Sequence, residues 1–353
     1  MHRLTAIDLF CGAGGLTVGL QQAGFSVVGA VELEPLACDT YADNHPGIQL
    51  WRTDIRNLGG AEILQTLDLA PGELDLLAGC PPCQGFSSIR TLNGRRQVTE
   101  PRNDLIYQYG RLVEELRPRA VLMENVPALA QDQRMADLVE LLEELGYPAR
   151  GAHRVLNAAD FGVPQNRRRL VMVAAHGTSV GLHVAPKRPR RTVRDAIADL
   201  PTPGASGDRL HDLPERRSPR IQQMIRSIPK DGGGRLDLAA DQQLNCHTGF
   251  DGFKDVYGRM RWDSPAPTIT GGCHNPSKGR FLHPEQDRAI TLREAALLQG
   301  FPADYSFRLD RGKLAAALMI GNALPPAFVA AHAAPLAERL AAASGAAGEN
   351  SRR

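Results

Sequence analysis

The stretch TAIDLFCGAGG, residues 5–15, is an apolar run that ends in three closely spaced glycines and then passes into a helical pattern. A buried strand that turns through glycine into a helix is the opening unit of a parallel α/β sheet. Outward from it, helical spacing runs from about Leu16 to Ala23, Gly24 stops it, and Ser26 to Val31 reads as a second strand. Gln49–Arg52, Leu74–Ala78, Ala120–Met123, Arg154–Leu156 and Leu170–Ala174 read as further strands, with the clearest helices at Leu105–Leu116 and Met135–Leu145. The expected fold class is α/β, a Rossmann-like, mostly parallel sheet with helices on both faces. The regularity lapses after about residue 176, and helical spacing resumes at Leu292–Leu298. The expected organisation is a sheet domain over 1–176, a smaller domain over 177–288, a segment at 289–340 that returns to the sheet domain, and a frayed tail at 341–353.

With 42% hydrophobic and 23% charged residues over 353 positions, the composition excludes a disordered, collagen-like or coiled-coil chain. Six cysteines, at 11, 38, 80, 83, 246 and 273, are too sparse for a disulfide framework, so a reducing cytoplasm is expected. The start MHRLTAIDLF carries no pattern of a secretory signal. Residues 314–337 lack Asp, Glu, Lys and Arg, yet Gly321, Asn322, Pro325, Pro326, His332 and Pro335 interrupt them, which favours a loop and a helix beginning near Pro326 over a membrane span. Net charge is only +2 but unevenly spread: residues 1–82 hold three Arg against ten acids, whereas residues 187–235 hold twelve Lys and Arg against six acids. The basic segment suits a solvated surface or a polyanion such as nucleic acid.

Three acidic or glycine signals fall in order along the first strands. The glycines of the first turn let backbone amides approach a ligand; Glu32 closes the second strand, where an acid can accept ribose hydroxyls; Asp54 follows the third, where it can accept from an adenine amino group. Each alone is equally a solvated carboxylate or a helix cap. Together they favour an adenosine with a cationic sulfonium over a dinucleotide, whose pyrophosphate an acidic pocket would repel and whose G-x-G-x-x-G spacing is lacking.

GCPPCQGFS, residues 79–87, follows the fourth strand. Zinc would require two further ligands, and Cys246-His247 and Cys273-His274 supply no second CxxC. A redox pair would open a helix, whereas here two prolines stiffen the turn before Cys83, which suits a nucleophile, and 85–102 form a basic segment able to act as a lid. Glu124 ends an apolar strand in MENV and would reach the same sheet edge as Cys83. In QNRRRL, residues 165–170, Arg167 and Arg169 would share one side of an extended segment with Arg168 opposite.

The order DLFCGAGG, Glu32, Asp54, PPCQGFS, ENV, QNRRR, a basic variable region, TLREAALLQGFP and IGNALPP resembles the DNA cytosine-5 methyltransferase family over roughly residues 4–335, omitting much of 177–255. The resemblance implies that Cys83 is the nucleophile, Glu124 the acid beside cytosine N3, and Arg167 and Arg169 the arginines that hold the base and the active-site charges. It implies S-adenosylmethionine as cofactor, lined by Phe10, Gly12, Gly14, Glu32, Asp54, Pro82, Leu105 and Asn322, with Leu33 where relatives often have an aromatic residue against the adenine, hence a weaker hold. It also implies double-stranded DNA as partner, touched by Gln84, Ser87, Arg90, Arg95, Arg96 and Thr268, no metal, and a monomer that acts on DNA in the cytoplasm.

The chemistry requires these residue types. Cytosine C5 is a poor nucleophile until a thiolate adds to C6, and neither atom is reachable in a stacked duplex, so the base must be flipped out. The rivals are a transfer-RNA cytosine methyltransferase, disfavoured by the long basic region; the RNA enzymes with a cysteine in the strand-end motif, where MENV has none; and a non-catalytic S-adenosylmethionine sensor, disfavoured by Cys83 and Glu124. A prokaryotic or phage modification enzyme, with or without a cognate restriction endonuclease, is the expected setting. Base recognition is expected from 177–288, in particular GRMRWDSPAPTITGG at 258–272.

Overall fold

The computed structural model describes residues 3–82, 104–182, 189–244 and 252–350, the last seven for backbone only. The chain divides into two compact units: Met1–Phe161 with Arg168–Pro186 and Leu324–Arg353, and Gly162–Arg167 with Lys187–Ala323.

The first unit holds a sheet of seven strands, β1 (Thr5–Leu9), β2 (Ser26–Glu32), β3 (Gln49–Arg52), β4 (Leu76–Gly79), β5 (Ala120–Asn125), β6 (His153–Asn157) and β7 (Arg168–Ala175), in the order β3-β2-β1-β4-β5-β7-β6. All pairings from β3 to β5 are parallel, and β7 runs antiparallel to β5 and β6. β4 and β5 are buried at every residue, as strands covered on both faces must be, which is why they read as unbroken apolar runs rather than alternating ones. Among the described residues the helices of this unit are α1 (Gly15–Gln22), α2 (Pro35–Asn44), α3 (Gly60–Leu67), α4 (Leu105–Leu116) and α5 (Gln133–Glu144), and a late helix comes from the end of the chain. In α4 the buried residues Leu105, Ile106, Tyr109, Leu112, Val113 and Leu116 recur at helical spacing and join the main core. The Tyr109 hydroxyl lies 3.2 Å from both Leu77 O and Leu122 O, a polar handle across β4 and β5.

All seven expected strands are present. β5 extends two residues beyond the expected end at Met123, so Glu124 lies inside the strand, and β7 begins at Arg168.

The second unit contains α6 (Val193–Ile197), α7 (Pro219–Ser227), α8 (Leu292–Gln299) and α9 (Gly312–Asn322). Its core gathers Met224, Ile225, Ile228, Leu238, Val256, Tyr257 and Leu282. Arg259, placed by sequence in the base-recognition stretch, is fully buried instead. It donates to Ile225 O (2.8 Å), Ile228 O (3.1 Å), His283 O (3.1 Å) and Gln286 O (2.7 Å) and pairs with Asp287, so it satisfies carbonyls of a region poor in regular structure. The return segment expected from 289 is also shorter. α8, fixed by a capping box between Thr291 and Glu294, and α9 both belong to the second unit, and the chain rejoins the first only at Leu324. The last helix, α10, spans Pro326–Asn350, so the tail expected to fray from 341 continues as helix to 350, in keeping with its alanine content. Gly312–Ala343 is long and apolar enough to cross a membrane by composition, but Ala323–Pro325 separate α9 from α10 and over half of the window is buried inside the protein.

α1 and α10 meet at Gly19, where a Cβ would stand 2.4 Å from Val329 Cβ and 2.6 Å from Pro326 O. Only glycine permits that approach without displacing backbone. Gly19→Ala is expected to destabilise the first unit by about 1–3 kcal/mol through overpacking, measured as a lower midpoint of urea unfolding; an unchanged midpoint would show that the two helices separate freely.

Candidate active site

The turn after β1 is built from left-handed backbone: Phe10 (φ 61°), Gly12 (φ 53°) and Gly14 (φ 95°). Glu32, at the end of the neighbouring β2, braces it. One carboxylate oxygen accepts the Gly12 amide at 2.9 Å, and the other accepts the Leu33 and Glu34 amides at 2.8 Å each. A Cβ at Gly12 would meet nothing within 4 Å, so the outer face of the turn is open. Beneath it lies Asp8, fully buried, accepting from the Thr17 hydroxyl at 2.7 Å, with Thr17 Oγ1 in turn 2.9 Å from the Tyr41 hydroxyl. Asp8 Oδ1 has no hydrogen-bond partner, and burial pushes the carboxyl up to about 7. Asp54 caps the 3-10 turn Ile55–Asn57, accepting the Arg56 amide at 3.0 Å and pairing with the Arg56 guanidinium at 2.9 Å. Of the other expected cofactor residues, Phe10 and Pro82 are half-buried, Gly14 caps α1, and Leu105 is buried at the head of α4. Asn322 is exposed at the end of α9 in the second unit, and Leu33 is 60% exposed.

Along the same edge, the parallel register pairs Leu9 with Gly79 and Gly79 with Met123, which brings Cys80 beside Glu124. Glu124 is buried, and Arg169 Nε stands 2.9 Å from its Oε1. Asn125 Nδ2 donates to Pro81 O at 2.8 Å and so ties the proline turn to β5. Sequence reading passed over Asn125, although its place next to Glu124 in MENV was a usable signal. The Cys80 thiol is pushed well above its ordinary value by burial, by the Glu124 and Asp8 carboxylates and by its hydrogen bond to Glu124, so it is held as S–H. Cys83, Gln84, Ser87, Arg90, Arg95 and Arg96 lie outside the described residues.

Arg167 sits differently from Arg169. It is buried in the second unit, with its two terminal nitrogens donating to Ile269 O and Gly321 O, each at 3.0 Å. Gln165, fully buried, accepts the Ile269 amide at 2.8 Å and donates to Gln299 Oε1 at 2.5 Å, and Gln299 donates to Ile320 O at 3.0 Å. Thr268 donates to Asn166 O at 2.6 Å. The pattern QNRRR therefore divides: Gln165 and Arg167 hold backbone of 269 and 320–321, while Arg169 faces Glu124.

The braced turn fits a ligand with hydroxyl donors and positive charge. Glu32 and Asp8 surround it with acid, the first described cation beyond β3, Arg56, is paired with Asp54, and the open face at Gly12 admits close approach. These residues fit S-adenosylmethionine and not a pyrophosphate. The strand order and this corner define the class of S-adenosylmethionine-dependent methyltransferases.

The model of the C-5 cytosine-specific DNA methylase family matches residues 4–337. The type II methylase M.HgiDII of Herpetosiphon aurantiacus is 37% identical over 337 residues, covering 91% of this chain and 92% of its own length. The type II methyltransferase M1.HphI of Haemophilus parahaemolyticus is 36% identical over 330 residues, covering 92% and 84%. Among solved structures, one described as a DNA modification methyltransferase encoded within a prophage (E. coli) superposes with a TM-score of 0.69 at 27% identity, covering 95% of this chain and 99% of its own. The S. pombe Dnmt2 methyltransferase, at 19% identity and TM-score 0.62 over 96% and 99%, shares the fold. The chain belongs to the C-5 cytosine-specific DNA methylase family. Its reaction is methylation of cytosine C5 in DNA, with S-adenosylmethionine as donor.

Asp8 gives a pH test of the corner. An ordinary Asp releases its proton near 3.8, whereas Asp8 keeps it to about 7. The folded state therefore binds more protons than the unfolded state across that window, and this group's contribution to stability falls as pH rises through it. Asp8→Asn keeps an acceptor for Thr17 and does not titrate. Its stability relative to wild type is expected to rise between pH 4 and 7, by at most about 1.4 kcal/mol per pH unit, in urea unfolding; a difference constant with pH would place Asp8 in contact with water.

Proposed function

We propose that this chain methylates cytosine flipped out of duplex DNA, through a covalent bond between Cys83 and C6. The observation that carries this reading is the buried Glu124, held by Arg169 at 2.9 Å on the strand whose next residue, Asn125, anchors the proline turn leading into Cys83. Cys83 is the nucleophile by chemistry as well as motif, because the neighbouring Cys80 is kept protonated.

In this mechanism the Cys83 thiolate adds to C6, and the ring electrons move toward N3, where Glu124 delivers a proton and offsets the developing charge. Arg169 stabilises the carboxylate that Glu124 then becomes. The methyl group arrives at C5 as the electrophile that S-adenosylmethionine supplies on its sulfonium. Loss of the C5 proton to water returns its electron pair to the ring and expels Cys83 as thiolate, and N3 gives its proton back to Glu124, leaving 5-methylcytosine. Glu32 orients the cofactor through the turn it braces, with Asp54, Phe10, Pro82 and Leu105 lining the pocket. Arg167 contributes through the backbone it holds.

The second unit selects the target sequence, with Gln84, Ser87, Arg90, Arg95, Arg96 and Thr268 adding contacts to DNA. The basic balance of 187–235 and its exposed arginines, such as Arg216, Arg220 and Arg226, support this assignment. The type II names of the relatives support a restriction-modification setting with a cognate endonuclease as genetic partner.

A duplex carrying 5-fluorocytosine at the target is expected to trap the wild-type enzyme as a covalent adduct on Cys83 in the presence of S-adenosylmethionine, because fluorine cannot leave as the proton does. Peptide mass spectrometry reads the site. Cys83→Ser should give no adduct, and Glu124→Gln should lower kcat by about 100-fold or more. An adduct on Cys80 would overturn the assignment.

A further inference from the structure

Cys80 occupies a position that the mechanism above leaves unused. It continues β4 by one residue, its amide donating to Leu9 O at 3.3 Å, and the Gly79–Met123 register carries it alongside Glu124 on the same face of the sheet. The register sets its side chain next to Glu124, and Arg169 holds Oε1 of that carboxylate at 2.9 Å. Other titratable and charged groups near the sulfur are Asp8 from β1, Arg169 from β7 and Tyr109 from α4. Burial above all keeps the sulfur protonated, so the thiol is a donor and not a competing nucleophile.

We propose that Cys80 is a positioning residue for Glu124: its S–H donates to the carboxylate and, with Arg169, fixes the orientation from which Glu124 acts at cytosine N3. This rests on the role given to Glu124 above. The contribution changes during the reaction. As Glu124 gives up its proton it becomes a stronger acceptor, so the S–H bond strengthens in the step that needs it and belongs to kcat rather than to binding.

The test compares Cys80→Ala, which has no donor, with Cys80→Ser, which keeps one, in the full-length enzyme with a duplex target and S-adenosylmethionine. Cys80→Ala is expected to lower kcat about three- to tenfold, the worth of one modest hydrogen bond, with the KM values for DNA and cofactor unchanged. Cys80→Ser should restore kcat to within about twofold of wild type. Adding Cys80→Ala to Glu124→Gln should cost nothing further, since the thiol acts only through the acid. Wild-type kcat in Cys80→Ala would overturn the proposal, and so would equal losses in the Ala and Ser variants or additive losses in the double variant. Full activity of Glu124→Gln alone would instead remove the role of Glu124, separately from that of Cys80.

Discussion

The first unit depends on one register, in which Gly79 of β4 lies between Leu9 of β1 and Met123 of β5. The connections from β1 run one way to β2 and β3, and the chain then returns to add β4 and β5 on the other side, so β1 and β4 flank the point where strand order reverses. There the turn braced by Glu32, the start of the proline turn at Cys80 and the Glu124 carboxylate leave the sheet at one edge. A slip of one residue in β5 would turn Glu124 to the opposite face and separate it from Cys80 and Arg169. The Asn125 bond to Pro81 O and the Tyr109 hydroxyl shared between Leu77 O and Leu122 O tie the two strands in that register.

The polar groups at this edge are held by one another. Glu32 binds three amides, Asn125 binds Pro81 O, and Arg169 binds Glu124. Each ties a polar group to a strand end and not to a free loop. The second unit is organised on another principle. With little regular structure, it satisfies its carbonyls with side chains, Arg259 in its core and Gln165, Arg167 and Gln299 around residues 269 and 320–323.

Apolar runs bounded by glycine and charge made the strands and helix α4 legible, because these elements are specified by their own residues. Glu32 and Glu124 were legible because each ends or nearly ends such a run. What sequence did not reveal depends on distant partners. Asp8 reads as one more acid until Thr17 and Tyr41 close over it, and Gln165 meets Gln299 across 134 positions. Arg259 counts as one unit of basic charge in the sequence, but its burial removes it from any DNA surface. The boundary expected at 289 moved to 324 because helical spacing in α8 and α9 shows that they pack, not against which unit.

The proposed division, chemistry in the first unit and choice of sequence in the second, predicts that the two are separable by exchange. The most direct measurement replaces residues 187–323 with the matching unit of a relative that methylates a different, known sequence, keeping 162–167, and maps 5-methylcytosine by bisulfite sequencing of DNA from a host expressing the chimera. The predicted result is methylation at the relative's sequence, abolished by Cys83→Ser. An active chimera that still methylates the original sequence would contradict the division of labour.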